Sequence, residues 1–448
     1  MTTPSVTPHP QHHSLRQVVD KQNFSPDSTL VLFGEIFQRG YANGLIEEAE
    51  ACEMKMIYST VGRREKDGIL RPLNSEELQT KANQKMINVA LEAGFDYQPG
   101  PSGKTVIELL KDIKLSDWEN ARLDFEEINQ IKNLAEKDFR RRVRAYVAEL
   151  EKILPKTGDV IFAHLMAGGV PRAKIIMPIM NKVFKGTGDR YYASSDFWKT
   201  DLGKLCAMSF SEVTAQTFQI LIDETASIRN QREAGGFKVG YSAYGYHGTE
   251  ILFGQTYQWQ TYSPYLQGWA KKQLEQIAID AQKSSPGIQA CVFNCPEILT
   301  NSSSIFQGVE VPLYPLLSAI EFEGGKTKAF EKLNEKCKAL LKPGLEMKSV
   351  YQITRDFYSD LDVQKLQNFS DWPTHSSKSQ LELLLQKSEA IFDMHLDPKN
   401  LVTSVLSEVV FRACGEAMLH QTLQPKSSVL WINHDYVAKS YLSQFVDV

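Results

Sequence analysis

The sequence predicts an α/β fold in which a doubly wound, mostly parallel sheet is covered by helices on both faces. Short apolar segments alternate with helical ones along most of the chain, and residues 29–60 are typical of a strand, a glycine turn, a helix and a second strand. Strands buried on both faces form continuous apolar runs, as these segments do. No internal repeat interrupts the pattern.

The segment 29–60 carries the clearest signal. Residues 29–34 (Thr-Leu-Val-Leu-Phe-Gly) form an apolar run that ends at a glycine, and residues 55–60 form a second apolar run. Between them, apolar residues recur at helical spacing at Leu45, Ile46, Ala49 and Cys52. A βαβ unit of this length is typical of nucleotide-binding, Rossmann-type folds.

The domain organisation follows from composition along the chain. We expect a disordered tail over 1–27, a Rossmann-type domain over 28–330 and a helical C-terminal extension over 331–448 that packs on the core. The domain is expected to contain helical insertions near 66–118 and 171–235. The tail is rich in Pro, Thr and His, a composition that rarely packs at a terminus.

Charge and hydropathy limit the class of protein. The 50 Lys and Arg residues nearly balance the 54 Asp and Glu residues, so a nucleic-acid-binding surface is not expected. No stretch approaches the roughly 20 apolar residues of a membrane span, and the N-terminus lacks the pattern of a secretory signal. The six cysteines form no metal-binding spacing. We therefore expect a cytoplasmic enzyme without a metal site.

A glycine-rich loop connects the first strand to the first helix. Gly34, Gly40 and Gly44 allow a tight turn and close approach to a pyrophosphate, which the N-terminus of the helix would bind. Under this interpretation, a Cβ at Gly34 or Gly44 would occupy phosphate space. The alternative is a tight turn with no ligand, because the spacing is not the common dinucleotide-binding one.

This loop resembles the cofactor loop of enoyl-acyl carrier protein (ACP) reductases. Nine residues separate Gly34 from Gly44, and the Gly40-Tyr41 pair is similar to that of the FabV-type trans-2-enoyl reductases. These are divergent short-chain dehydrogenases, and the FabMG type is the alternative within the group. The resemblance implies that Gly34, Gly40, Tyr41 and Gly44 bind a nicotinamide dinucleotide.

The residues after the second strand bear on the choice of dinucleotide. Many NADH-dependent dehydrogenases place an acidic residue there, against the ribose hydroxyls. Here the sequence from Ser59 to Arg64 contains no acid, and Arg63 and Arg64 suit a 2′-phosphate. We expect NADPH as the cofactor, with NADH as the second choice. The alternative is that both arginines are exposed loop residues.

The candidate catalytic pair is Tyr262 and Lys271. Enoyl reduction leaves an enolate, whose oxygen needs a hydrogen bond and then a proton, and a tyrosine beside an ammonium group can provide both. Ser263 is a natural N-cap and Pro264 a natural first helical residue, so Tyr262 would precede the helix. The competing pair is Tyr265 and Lys272, seven helical steps apart.

Further motifs extend the resemblance over roughly residues 28–325. Tyr262, eight residues, Ala270-Lys271 and then Leu274-Glu275 is similar to the FabV-type active-site pattern, which implies that Tyr262 donates the proton and that Lys271 also contacts the nicotinamide ribose. Segments 299–304 and 311–317 are similar to the segments that cover the nicotinamide and acyl chain. The resemblance implies further cofactor contacts at Ala167, Gly168 and Thr300, and substrate contacts at Tyr241, Tyr244, Tyr265 and Tyr314.

The resemblance implies NAD(P)H-dependent reduction of the 2,3 double bond of an enoyl thioester carried by ACP or CoA. Two alternatives remain open at this point. A ketoreductase could use the same Tyr/Lys pair to protonate an alkoxide, and a non-catalytic NAD(P)-binding sensor could share the fold. The presence of both Tyr262 and Lys271 argues against the sensor, because ligand sensing alone would not need the tyrosine.

Overall fold

The structure is a computed structural model. It describes residues 12–37, 40–179, 195–245, 250–259, 268–285, 287–298, 300, 310–325, 327–365 and 378–445.

Twelve strands are described: β1 His12–Leu15, β2 Thr29–Phe33, β3 Lys55–Thr60, β4 Arg63–Arg64, β5 Leu70–Arg71, β6 Met86–Ala90, β7 Val160–His164, β8 Val239–Gly245, β9 Glu250–Phe253, β10 Thr256–Trp259, β11 Gln289–Asn294 and β12 Val429–Ile432. Eight of them form the main sheet, in the order β1-β12-β11-β8-β7-β2-β3-β6. All of its pairings are parallel. Two small antiparallel pairs, β4-β5 and β9-β10, lie outside it.

The strand order confirms the predicted doubly wound fold. From β2 the chain builds outward through β3 to β6, then returns to β7 on the other side of β2 and continues through β8, β11 and β12. The direction of winding therefore reverses between β2 and β7, and open α/β sheets bind ligands beyond the carboxyl ends of such strands. Phe33 pairs with His164, so the two strands end at the same level.

Sixteen α-helices are described: α1 Ala42–Ala51, α2 Ser75–Gln79, α3 Val106–Leu109, α4 Phe125–Ile153, α5 Ser195–Trp198, α6 Asp201–Phe210, α7 Thr217–Glu224, α8 Ala226–Ala234, α9 Gly268–Ser284, α10 Pro315–Gly324, α11 Lys328–Lys338, α12 Met347–Ser359, α13 Leu361–Lys365, α14 Lys378–Asp393, α15 Val402–Gln421 and α16 His434–Ser443. Single 3₁₀ or π turns occupy Leu115–Asn120, Ser211–Gln216 and Val311–Leu313. Among the described helices, none combines the length and apolar character needed to cross a membrane.

The helices cover the sheet on both faces. On one face, α4, α7 and α9 pack against the strands through residues such as Val143, Leu221 and Leu274. On the other face, α1, α10, α15 and α16 do so through residues such as Leu45 and Val410. The strands β2, β7 and β12 are fully buried between the two layers, which is why their sequences are apolar at every position or nearly so.

Three parts of the expected organisation are corrected by short strands. The predicted disordered tail contains β1, the predicted insertion at 66–118 contains β6, and the predicted helical extension contains β12. All three belong to the main sheet. β1 has the polar sequence His-His-Ser-Leu, and it forms a strand because β12 offers a parallel partner. The residues of a short strand do not by themselves show which distant strand will pair with it.

Candidate active site

A cleft lies at the carboxyl ends of β2, β3, β6 and β7, where the winding of the sheet reverses. It has a volume of about 250 Å³, and its walls include Glu35, Val61, Glu92, Asp96, Leu165 and Ala167. These residues come from the loops that follow the four strands. This is the crevice in which doubly wound sheets bind nucleotides.

The turn after β2 depends on Gly34. Its φ of +125° is a conformation that side chains disfavour, and a Cβ there would lie 3.0 Å from the Cβ of Leu165. The Gly34 N–H donates to Ser59 Oγ at 2.8 Å, and Ser59 Oγ donates to the Leu32 carbonyl at 2.9 Å. The turn is therefore held by β3 on one side and by the loop after β7 on the other.

Gly44 faces a helix and not the cleft. A Cβ on Gly44 would lie 1.9 Å from the Phe411 carbonyl oxygen, and a Cβ on Gly415 would lie 2.1 Å from the Gly44 carbonyl carbon. The two glycines therefore let α1 and α15 cross at backbone contact distance. The expectation that a Cβ at Gly44 would occupy phosphate space is wrong, because that position is filled by α15.

Three other predicted cofactor residues border open space. Ala167 lines the cleft. A Cβ at Gly40 or Gly168 would meet no atom of the described residues within 4 Å, and Gly168 has a φ of +110°. The Gly168 carbonyl accepts a hydrogen bond from Thr214 Oγ1 at 3.0 Å, which holds the loop. Room of this kind beside a glycine backbone is what close approach of a ligand requires.

The arginines after the second strand are already paired with acids. Arg63 donates to both carboxylate oxygens of Glu35, each at 2.9 Å, and Arg64 lies 2.6 Å from Glu92. Glu35 also accepts from Thr60 Oγ1 at 3.1 Å, so its carboxylate stands at the end of β3. The premise that no acid lies at this position is wrong, because Glu35 reaches it from the glycine loop.

Glu35 is anionic at neutral pH. Burial on its own would raise the pKa of Glu35, but hydrogen bonds from Arg63 and the charges of Arg63 and Lys81 outweigh burial and hold the pKa below its ordinary value. The Lys81 Nζ atom lies 3.5 Å from the same carboxylate. The cleft therefore presents a carboxylate at the end of β3, with the cations of Arg63 and Lys81 beside it.

Asp96 brings an unsatisfied carboxylate to the cleft. Its Oδ2 accepts from the Arg172 N–H at 3.0 Å, while Oδ1 is shielded from solvent and has no hydrogen-bond partner in the part of the chain that the structure describes. Burial raises the pKa of Asp96 to about 6, although Arg172 opposes the change. A buried acceptor without a partner is costly, and a hydrogen-bond donor on a ligand would satisfy it. This residue and the open glycines fit a bound dinucleotide.

The burial of the Asp96 carboxylate is expected to lower the free energy of unfolding, which can be measured. Its pKa of about 6 in the folded protein lies above the ordinary value of 3.8, so its contribution to stability is fully present below about pH 4 and is lost as the pH rises through 6. We expect Asp96→Asn to raise the free energy of unfolding at pH 8, by up to about 3 kcal/mol. The gain should shrink as the pH falls below 6. Urea unfolding at pH 5 and pH 8 tests this, and a variant less stable than the parent at pH 8 would contradict it.

Lys271, the lysine of the candidate catalytic pair, is buried at the carboxyl end of β8. It lies in the first turns of α9, is 7% exposed, and donates from Nζ to the Tyr244 carbonyl at 2.7 Å. The neighbouring Lys272 is exposed. The two lysines left open by the sequence therefore differ sharply in placement: Lys271 points inward to the end of β8, and Lys272 points to solvent.

Burial lowers the pKa of Lys271 to about 8, while Glu297 and Cys295 act in the opposite direction. His164, at the end of β7, faces the same region; burial and the charge of Lys271 lower its pKa to about 3, so the imidazole is neutral. Its Nε2 atom lies 2.8 Å from Thr217 Oγ1, and Thr217 Oγ1 itself donates to the Val213 carbonyl. His164 is therefore an Nε2–H donor and not an acid at working pH.

Two of the predicted substrate tyrosines are placed elsewhere. Tyr241 is fully buried in the core on the face of the sheet that α9 covers, where its hydroxyl lies 2.8 Å from both Thr225 and Arg229. Tyr314 is 1% exposed in the core, with its hydroxyl 3.3 Å from His395 Nε2. Both predictions are wrong, because these side chains are committed to packing that leaves no face for a substrate.

The remaining predicted residues have mixed outcomes. Tyr244 stacks on Tyr41 with ring centroids 5.3 Å apart, and its buried hydroxyl has no hydrogen-bond partner among the described residues. Thr300 is half-buried, six residues beyond the end of β11. Tyr262 and Tyr265 lie outside the described residues, so their roles stay predictions.

Glu35 and Glu297 were missed by the sequence analysis. Glu297 is 3% exposed in the loop after β11, close enough to Lys271 and Tyr41 to act on the pKa of each. Glu35 directly follows the first glycine of the loop. The position of Glu35, close behind the end of a predicted strand, was a signal in the sequence that could have identified it. Glu297 follows Pro296, three residues beyond the end of β11.

The doubly wound sheet, the cleft where its winding reverses and the buried lysine at the end of the neighbouring strand β8 define a dinucleotide-dependent oxidoreductase. The comparisons with known proteins make this specific. The chain belongs to the FabMG family of enoyl-acyl carrier protein reductases, whose family model matches residues 11–441. It is therefore an NAD(P)H-dependent enoyl-thioester reductase.

Two solved structures support the assignment. The apo structure of FabMG is 42% identical, with a TM-score of 0.89 over 97% of this chain and 99% of that one. The NADH-bound structure of FabMG is 38% identical, with a TM-score of 0.74 over 96% of this chain and 99% of that one. No curated protein sequence matches the chain.

Proposed function

We propose that this protein reduces the 2,3 double bond of enoyl-ACP with NADH, with Lys271 and Tyr262 at the reacting centre. The observation that carries the proposal is Lys271, a buried ammonium group held at the carboxyl end of β8, the strand that pairs with β7. NADH is chosen because the similar FabMG structure binds it and because Glu35 occupies the cleft.

NADH would supply a hydride to the β carbon of the substrate. Negative charge then develops on the thioester oxygen, and the hydroxyl of Tyr262 stabilises it by a hydrogen bond before donating a proton. The Lys271 ammonium lowers the pKa of that hydroxyl by its charge and binds ribose hydroxyls. Thr300 is proposed to bind the nicotinamide amide, and Gly40, Ala167 and Gly168 to leave room for the dinucleotide.

The loss of nicotinamide absorbance tests the reaction. We expect NADH oxidation with crotonyl-ACP, a weaker rate with crotonyl-CoA and none with acetoacetyl-ACP, because the proposed chemistry acts on a carbon–carbon double bond. Turnover of acetoacetyl-ACP in place of crotonyl-ACP would support a ketoreductase. Inert behaviour with every thioester, despite NADH binding, would support a sensor.

Glu35 is proposed to set the preference for NADH over NADPH. Its carboxylate would accept from ribose hydroxyls and repel a 2′-phosphate, and it holds Arg63 away from that phosphate. We expect Glu35→Gln to shift the ratio of kcat/KM for NADPH to that for NADH by roughly tenfold or more, about 1.4 kcal/mol, toward NADPH. Steady-state kinetics with both cofactors measures it.

The matched control is Glu92→Gln, since Glu92 also lines the cleft and pairs with an arginine. It should change the ratio much less, because Glu92 does not contact the end of β3 through Thr60. An unchanged ratio in Glu35→Gln, or an equal shift in both variants, would remove Glu35 from the ribose position.

The carrier and the location are part of the same proposal. The family description names an acyl carrier protein, and the comparison of crotonyl-ACP with crotonyl-CoA decides between the carriers. We propose a cytoplasmic location, which the six free thiols support, since free buried cysteines are typical of a reducing compartment.

A further inference from the structure

Tyr41 spans the loop that follows β11. Its hydroxyl donates to the Pro296 carbonyl at 2.7 Å and accepts from the Ile298 N–H at 3.1 Å. These two backbone groups belong to the residues on either side of Glu297. One side chain from the glycine loop therefore fixes the backbone before and after Glu297, and it uses both the donor and an acceptor of its hydroxyl to do so.

Tyr41 reaches Lys271 by a second route. Its ring stacks on Tyr244 with centroids 5.3 Å apart and an interplanar angle of 26°. The Tyr244 carbonyl is the group to which Lys271 Nζ donates at 2.7 Å. The acceptor of the ammonium and the loop that carries Glu297 are thus both held by one residue.

The charges around Lys271 show what Glu297 does there. A buried ammonium is costly without an opposite charge nearby. Glu297 is itself only 3% exposed, and its charge raises the pKa of Lys271 against the effect of burial. Among the described residues, the other titratable groups that act on the lysine or feel its charge are neutral His164 on β7 and the buried thiol of Cys295.

We infer that Tyr41 and Glu297 are positioning residues for Lys271: Tyr41 holds the loop, and the carboxylate of Glu297 balances the buried ammonium group. The inference rests on the proposed role of Lys271 as the site cation. Neither residue needs to touch the substrate. The arrangement keeps Lys271 charged at the pH at which the enzyme works, although the protein buries it.

The test is the pH dependence of the reaction in Glu297→Gln, which keeps the shape of the side chain and removes its charge. In the parent enzyme, kcat should fall above about pH 8, where Lys271 loses its proton. Without the carboxylate the pKa of Lys271 falls, so we expect the upper limb of the profile to move down by about one pH unit or more. At pH 6 the variant should retain activity within about threefold of the parent, because Lys271 is protonated in both.

Tyr41→Phe is the second variant, since it keeps the ring stack and removes the hydroxyl. It should move the same limb in the same direction by a smaller amount. Glu275→Gln is the matched control: Glu275 is a buried acid one turn along α9 from Lys271, and its Oε1 accepts from Asn294 Nδ2 at 2.6 Å. Its profile should coincide with that of the parent.

The pH dependence of the NADH dissociation constant provides a readout without turnover, and it should shift in parallel. An upper limb at the same pH in the parent and in Glu297→Gln would overturn the inference, as would the absence of such a limb from both. The proposed function fails by a different result, namely a Lys271→Ala variant with unimpaired rate.

Discussion

Replacing Gly44 with valine is expected to prevent stable folding. The new Cβ would lie 1.9 Å from the Phe411 carbonyl oxygen and 2.5 Å from its carbonyl carbon, and these are backbone atoms that no rotamer change can move. Separating α1 from α15 would open the apolar layer on that face of the sheet. Overpacking of this kind costs about 3 kcal/mol or more. Urea unfolding, with far-UV circular dichroism of the soluble fraction, measures the loss.

Gly40→Ala is the matched control for Gly44→Val. Both glycines belong to the same loop and helix start, but a Cβ at Gly40 meets no described atom within 4 Å. Its unfolding curve should be that of the parent, and any effect should appear in cofactor affinity. If Gly44→Val instead unfolds like the parent and has lost only NADH binding, the phosphate interpretation of Gly44 would be restored.

The second large effect is expected at the reacting centre. Tyr262→Phe should lower kcat by roughly 10²–10⁴, because it removes a hydrogen bond and a proton transfer that act in the transition state. It should leave NADH affinity nearly unchanged, since the phenol acts on the substrate oxygen. Lys271→Ala should lower both kcat and NADH affinity, because the ammonium is proposed to contact the ribose as well. Single-turnover rates and NADH titration separate the two effects.

Tyr265→Phe and Lys272→Ala are the controls, and both should be mild. The exposure of Lys272 and the burial of Lys271 already favour this outcome. Melting temperatures must accompany the rates, since Lys271→Ala also leaves the Tyr244 carbonyl without its donor. A collapse at Tyr265 and Lys272, with Tyr262 and Lys271 spared, would move the centre to the other pair.

The two tyrosines of β8 illustrate a feature that the sequence did not predict, namely which side chain faces which side of the sheet. Tyr241 and Tyr244 were both expected in one substrate pocket. They are three residues apart, and side chains at odd spacing on a strand point to opposite faces of the sheet. The structure follows this rule: Tyr241 packs on Phe162 among the residues of one face, and Tyr244 stacks on Tyr41 at the other. Which of the two faced the expected site was decided by the helices that cover each side.

The cofactor preference likewise depends on a charged residue that is distant in the sequence. The four residues that follow β3, Val61 to Arg64, include two arginines and no acid. Glu35 comes from a loop 28 positions before Arg63, and the two meet because β2 and β3 are neighbours in the sheet. Parallel pairing brings their carboxyl ends together, so a residue after either strand can fill the same space.

By itself, the sequence determined the alternating α/β order, the place of the glycine loop and the family resemblance, and it supplied Lys271 as a candidate, because each depends on spacing within a short segment. Only the tertiary structure decided that Gly44 serves a helix crossing, that Glu35 stands at the end of β3 and that Tyr41 holds the loop of Glu297. These contacts join residues 25 to more than 300 positions apart. The sequence of a short segment does not show which distant part of the chain will pack against it. That is decided by the packing of the whole chain.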